Sequence, residues 1–155
     1  MNCNSEEIKN GAVAIKGSRF VAVGKTSEID AGFSAEEIQD GSNKALFPGF
    51  INSHGHLFQN LLKGLGRDRK LLDWLNASIK KTLPYIDAED VFIVATAGCM
   101  ESMESGVTTF LDYMYCHGTS LEALDDAVIE AFRNTGMRGE ARKGSYSSGR
   151  IRLSC

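Results

Sequence analysis

His54 and His56 stand two residues apart with only Gly55 between them, just after the apolar pair Phe50-Ile51. That run and the Pro48-Gly49 turn signal before it predict a short buried strand, and side chains two apart on a strand leave the same face. Two imidazoles on one face form a two-point grip for a metal, since neutral imidazole is the commonest protein ligand for such ions. Gly55 adds no bulk where the backbone would approach a ligand. Taken alone, an H-x-H pair is more often two ordinary surface or core histidines than a metal site, so its surroundings have to decide.

The elements that would hold this pair follow from pattern. Upstream, Ala12-Val13-Ala14-Ile15 and Arg19-Phe20-Val21-Ala22-Val23 flank Lys16-Gly17-Ser18, which predicts a hairpin with a type II′ turn. Between Lys25 and Asn43 the chain is polar, with a short helix expected around Ala35-Glu36-Glu37-Ile38 and an apolar strand at Ala45-Leu46-Phe47. After the histidines, Leu57, Phe58, Leu61, Leu62 and Leu65 recur at helical spacing. So do Leu71, Leu72, Leu75 and Ile79, with Pro84 just beyond. Asp87 is placed to cap a helix through Val91, Ala95, Cys99 and Met103, and Gly106 stands where that helix should stop. Val107 to Leu111 reads as a β-branched strand running on to Asp112. A further helix is expected over Leu121, Leu124, Val128 and Phe132, with Thr119 to Glu122 at capping-box spacing. Strands alternating with helices after a small all-β start indicate a parallel α/β arrangement.

The bulk properties exclude more than they select. The chain has 155 residues, 43% hydrophobic and 24% charged, the balance of a globular domain. A net charge of -3 offers no field for phosphate backbones or anionic lipids, so neither a nucleic acid nor a membrane is expected as a partner. The start, Met1 to Glu7, lacks a basic and apolar leader, which makes the cytoplasm the expected location. Cys3, Cys99, Cys116 and Cys155 are scattered without a C-x-x-C pair and are expected as reduced thiols. Lys63, Arg67, Arg69 and Lys70 surround Gly64-Leu65-Gly66, but the further glycine and the lysine-serine pair of a nucleotide loop are missing, leaving a solvated loop.

A longer string around the histidines is far more specific than the pair. Leu46-Phe47-Pro48-Gly49-Phe50-Ile51-Asn52-Ser53-His54-Gly55-His56 resembles the entry into the first barrel strand of the amidohydrolase superfamily. Leu57 to Leu65 and Leu72-Asp73-Trp74-Leu75 resemble the branch that contains triazine chlorohydrolases, guanine deaminases and methylthioadenosine or S-adenosylhomocysteine deaminases. Glu104 to Asp112 resembles that branch's second barrel strand.

The resemblance implies a (β/α)8 TIM barrel attached to a composite β-sandwich: 1–47 as part of the sandwich, 48–139 as the first two β/α units of an incomplete barrel, and 140–155 as an irregular tail. It implies one divalent metal, zinc ahead of iron, held by His54, His56, a third histidine and an aspartate from later strands that are not in this sequence. A metal-bound hydroxide would then deaminate a small heterocyclic substrate such as a purine, pterin or triazine. Gln59 and Trp74 match positions near the substrate, though Trp74 fits a core position equally well. His117, just past the second strand, is a candidate for the substrate side and is also readable as a plain loop histidine. Asp112 reads as a carboxylate capping a nearby amide. Full-length relatives are expected to be homo-oligomers. With half of a zinc ligand set, this chain is expected to be an inactive fragment, the alternative being a non-enzymatic binding or assembly module.

Overall fold

The computed structural model of the chain describes residues 6–115, 121–143 and 152–154. It divides into two compact units, Met1–Pro48 and Gly49–Cys155.

In the first unit β1 (Gly11–Lys16) and β2 (Arg19–Lys25) form an antiparallel hairpin. Gly17 opens its turn at φ +60, the left-handed conformation that a type II′ turn demands of its first central residue. A short helix α1 (Thr26–Gly32) follows, its start tied back by Thr26, whose amide and hydroxyl both donate to the carbonyl of Asn10 at 2.9 Å. The helix expected at 35–38 and the strand expected at 45–47 are absent, and 33–49 contains neither helix nor strand. Ile38, Leu46 and Phe47 stay exposed. A three-residue strand needs a ladder partner and a one-turn helix needs a surface to bury against, and nothing described in this unit supplies either.

The second unit is mixed α/β. Its sheet runs β3 (Phe50–Gly55), β4 (Val107–Met114), β5 (Arg138–Lys143) and β6 (Arg152–Ser154), with the first three parallel and the last antiparallel. Between β3 and β4 lie a 3-10 turn (Leu57–Leu62), α2 (Leu71–Ala77), α3 (Ile79–Thr82), a second 3-10 turn (Leu83–Tyr85) and α4 (Ala88–Glu104). Helix α5 (Leu121–Thr135) joins β4 to β5. The Asp87 cap is present: its carboxylate accepts the Asp90 amide at 2.9 Å while Asp90 answers the Asp87 amide. Gly106 ends α4 at φ +83, where a side chain would be strained. The amphipathic run 71–79 is one helix in the sequence but breaks at Ser78, leaving Leu71 and Leu72 exposed and Ile79 buried.

Along β4 the side chains alternate. Phe110, Asp112 and Met114 are buried on one face, against a core made by Val91, Ala95 and Cys99 of α4, Leu124, Val128 and Phe132 of α5, and Leu57, Phe58 and Leu62. Thr109, Leu111 and Tyr113 occupy the other face.

The expected boundary at 139 falls inside β5. Rather than an irregular tail from 140, the backbone continues as a strand to Lys143, with Arg138 to Lys143 in register with Thr109 to Met114, and 152–154 pairs back onto it. Parallel pairing uses main-chain groups, so a polar segment joins the ladder when its neighbour is in place. Gly139 helps: the Phe132 ring lies where its Cβ would be, so α5 packs directly on the strand.

Candidate metal centre

β3 delivers the two histidines at its C-terminal end. The His54 and His56 ring centroids are 5.0 Å apart and nearly perpendicular. Two imidazoles sharing one tetrahedral zinc, each through a nitrogen about 2.0 Å from the ion, have centroids roughly 5 Å apart, so the spacing fits a common ion.

His56 is oriented from β4. Its Nδ1 lies 2.7 Å from the main-chain oxygen of Tyr113. A carbonyl only accepts, so Nδ1 carries the proton and Nε2 keeps the lone pair that a metal uses. His54 stacks on the Tyr113 ring at 4.5 Å and 24°. Tyr115 presents its ring edge-on to His56 at 4.8 Å and to Phe58 at 4.9 Å. The bulk that Gly55 avoids is against Phe110 rather than a ligand: a Cβ there would run into the Phe110 ring, so close packing of β3 on β4 requires glycine.

Gln59 joins this group, donating from Nε2 to the Tyr115 hydroxyl at 2.5 Å, with its amide on the His56 carbonyl at 3.0 Å. Trp74 has its described contacts elsewhere. It packs partly against the core and donates from Nε1 to the Leu65 carbonyl at 3.0 Å, beneath the exposed loop 63–70. In that loop Lys63 pairs with Glu101 at 2.6 Å. His117 lies outside the described residues.

Sequence reasoning missed Tyr113 and Tyr115. They stand two apart at the end of β4, a spacing that puts both on one face, but only the β3–β4 register, with Gly55 opposite Asp112, brings that face to the histidines. Asp112 is fully buried and caps an amide as expected: its Oδ1 accepts the Leu57 N–H at 2.6 Å. Burial pushes its carboxyl up to about 7; the Leu57 bond opposes that shift and the Asp125 charge adds to it.

A profile described as the amidohydrolase family matches residues 45–153. The chain belongs to the amidohydrolase family. Within it, the relatives are those of the deaminase and chlorohydrolase branch. The 5-methylthioadenosine/S-adenosylhomocysteine deaminase of Symbiobacterium thermophilum is 32% identical over 149 residues, covering 96% of this chain and 32% of that protein. The chain thus spans about a third of the length of such curated relatives. Among solved structures, an adenosine deaminase from Xanthomonas campestris with bound zinc superposes with a TM-score of 0.74 at 25% identity, over 84% of this chain and 28% of that one. Atrazine chlorohydrolase from Arthrobacter aurescens TC1 complexed with zinc gives 0.72 at 24% identity, over 90% and 32%, and shows the same fold. This amidohydrolase has no group of three or more histidine, cysteine, aspartate or glutamate side chains placed to hold a metal among its described residues. Nor, among them, is any helix long and apolar enough to cross a membrane.

Proposed function

We propose that this amidohydrolase chain supplies the first two protein ligands, His54 and His56, of a single zinc centre that hydrolyses a carbon-nitrogen bond other than a peptide bond. The substrate is an aminated heterocycle of the purine, pterin or triazine kind. In this reading β3, β4 and β5 with their helices are the start of a (β/α)8 barrel, and the hairpin of the first unit belongs to a small β-sandwich.

The observation that carries the reading is the His56–Tyr113 hydrogen bond beside a His54 ring at zinc-sharing distance. It leaves Nε2 of His56 as the ligating atom. Zinc bound there would lower the pKa of a water molecule and so provide a nucleophile for an electron-poor ring carbon at neutral pH. The chain's own part is to hold two imidazoles at fixed angles. Tyr113, Tyr115 and Phe58 wall them with aromatic surface, and Gln59 anchors the Tyr115 hydroxyl.

Catalytic zinc takes three protein ligands and a water, whereas two come from the described residues. In this reading the remaining ligands of the centre lie outside the described residues. The alternative reading is a binding or assembly module without catalysis.

Metal content per purified chain tests the proposal, with a His54→Ala, His56→Ala double variant alongside. Metal held by the parent chain and lost in the variant supports the zinc reading. Metal-free chain in both, with a stable fold, favours the module.

A further inference from the structure

Resting on the reading of His54 and His56 as metal ligands, we infer that Asp112 is a positioning residue for His56. Together with the carbonyl of Tyr113, its carboxylate fixes the angle at which the His56 ring meets a divalent cation.

His56 is where the chain leaves β3, at φ -139 and ψ 84, and turns into the 3-10 segment that follows. The first amides of such a turn have no partner within it. Asp112 meets this need at one point: its Oδ1 accepts the Leu57 N–H, the peptide directly after His56, at 2.6 Å. The next residue of β4, Tyr113, accepts the Nδ1–H of the His56 ring at 2.7 Å through its main-chain oxygen. Consecutive residues of one strand therefore hold the ring and the peptide behind it, and Gly55 pairs with Asp112 in the ladder just before. With both ends of the residue tied, the ring has little freedom to swing.

The form of the group fits this role. Asp112 is fully buried, and its Oδ2 has no hydrogen-bond partner. An apolar residue of similar size would fill the space without that desolvation cost. What it would lose is an acceptor at one place, the amide behind the ligand. Phe110 and Met114, on the same buried face of β4, contribute packing alone.

The test compares the full chain with Asp112→Asn, which keeps an acceptor oxygen, and Asp112→Leu, which keeps volume without one. Four quantities are read: the His56 tautomer from imidazole ¹⁵N shifts without metal, hydrogen exchange at the Leu57 amide, cobalt(II) affinity by chelator competition, and the unfolding temperature. The leucine variant should fold, exchange Leu57 faster, lose its preference for the Nδ1–H tautomer, and bind cobalt about 10- to 100-fold more weakly. The asparagine variant should stay close to the parent in tautomer, Leu57 exchange and cobalt affinity. An unchanged tautomer and affinity in the leucine variant would overturn the inference. So would unfolding of the leucine variant, which would make the carboxylate a support of the whole sheet, or loss of the tautomer in a folded asparagine variant. If the parent chain binds no cobalt, the metal reading fails separately, and the tautomer and exchange data still decide the role of Asp112.

Discussion

The His54 ring lies flat on the Tyr113 ring, 4.5 Å between centroids and 24° between planes, while the carbonyl of the same tyrosine holds the His56 ring. One residue of β4 thus orients both histidines, by its side chain and by its backbone. Tyr113→Phe retains both contacts and should leave divalent-metal affinity unchanged. Tyr113→Leu retains only the carbonyl. Loss of a stacked pair worth roughly 0.5–1.5 kcal/mol should weaken cobalt binding by up to about tenfold. Chelator competition on the three chains measures this, and equal affinities would show that the stack does not orient His54.

Gly55 is fixed by its neighbour. A methyl group there meets the Phe110 ring on the buried face of β4, so Gly55→Ala should cost about 1–3 kcal/mol of stability by overpacking. Adding Phe110→Leu opens the space and should return part of that loss. Denaturant unfolding of the single and double variants checks it; simple additivity of the two losses would show that the residues do not touch.

Much of this was readable from residue order, for physical reasons. The H-x-H pair, its strand and the Asp87 and Gly106 ends of α4 are local signals, set by neighbours within four residues, but the burial expected of that strand is not seen, since Phe50 and Ile51 are exposed. Strand β5 was not readable because Arg138-Gly139-Glu140-Ala141-Arg142-Lys143 carries almost no apolar pattern, and pairing with β4 supplies its order. Tyr113, Tyr115 and the Leu57 amide on Asp112 depend on the register of two strands more than fifty residues apart, which no local pattern contains. The break in α2 at Ser78 was hidden by a continuous apolar spacing whose first leucines are exposed.

Asp112 gives the stability a defined pH dependence. Burial pushes its carboxyl up to about 7 from the ordinary 3.8, so between those values the folded chain holds a proton that the unfolded chain has released. Its contribution is complete below pH 4 and is lost as pH rises through 7, on the order of 4 kcal/mol across the window. Asp112→Asn, with no proton to lose, should flatten this part of the profile. Urea midpoints from pH 4 to 8 on both chains test it; parallel profiles would mean that Asp112 ionises without cost.

Cys99 reports on the packing of α4. It is fully buried, and its thiol is pushed up to about 11, chiefly by desolvation and further by the Asp112 charge, against a hydrogen bond with Thr135 that lowers it. At pH 8 roughly a thousandth of such a thiol is thiolate, and that fraction is shielded. Labelling with a maleimide should therefore leave the Cys99 peptide unmodified in the native chain and modify it only when denaturant opens the helix. Peptide mass spectrometry across a urea series measures the onset, which should follow the global unfolding curve. Rapid native labelling of Cys99 would show that α4 separates from β4 and α5 far more easily than its buried Val91, Ala95 and Cys99 imply.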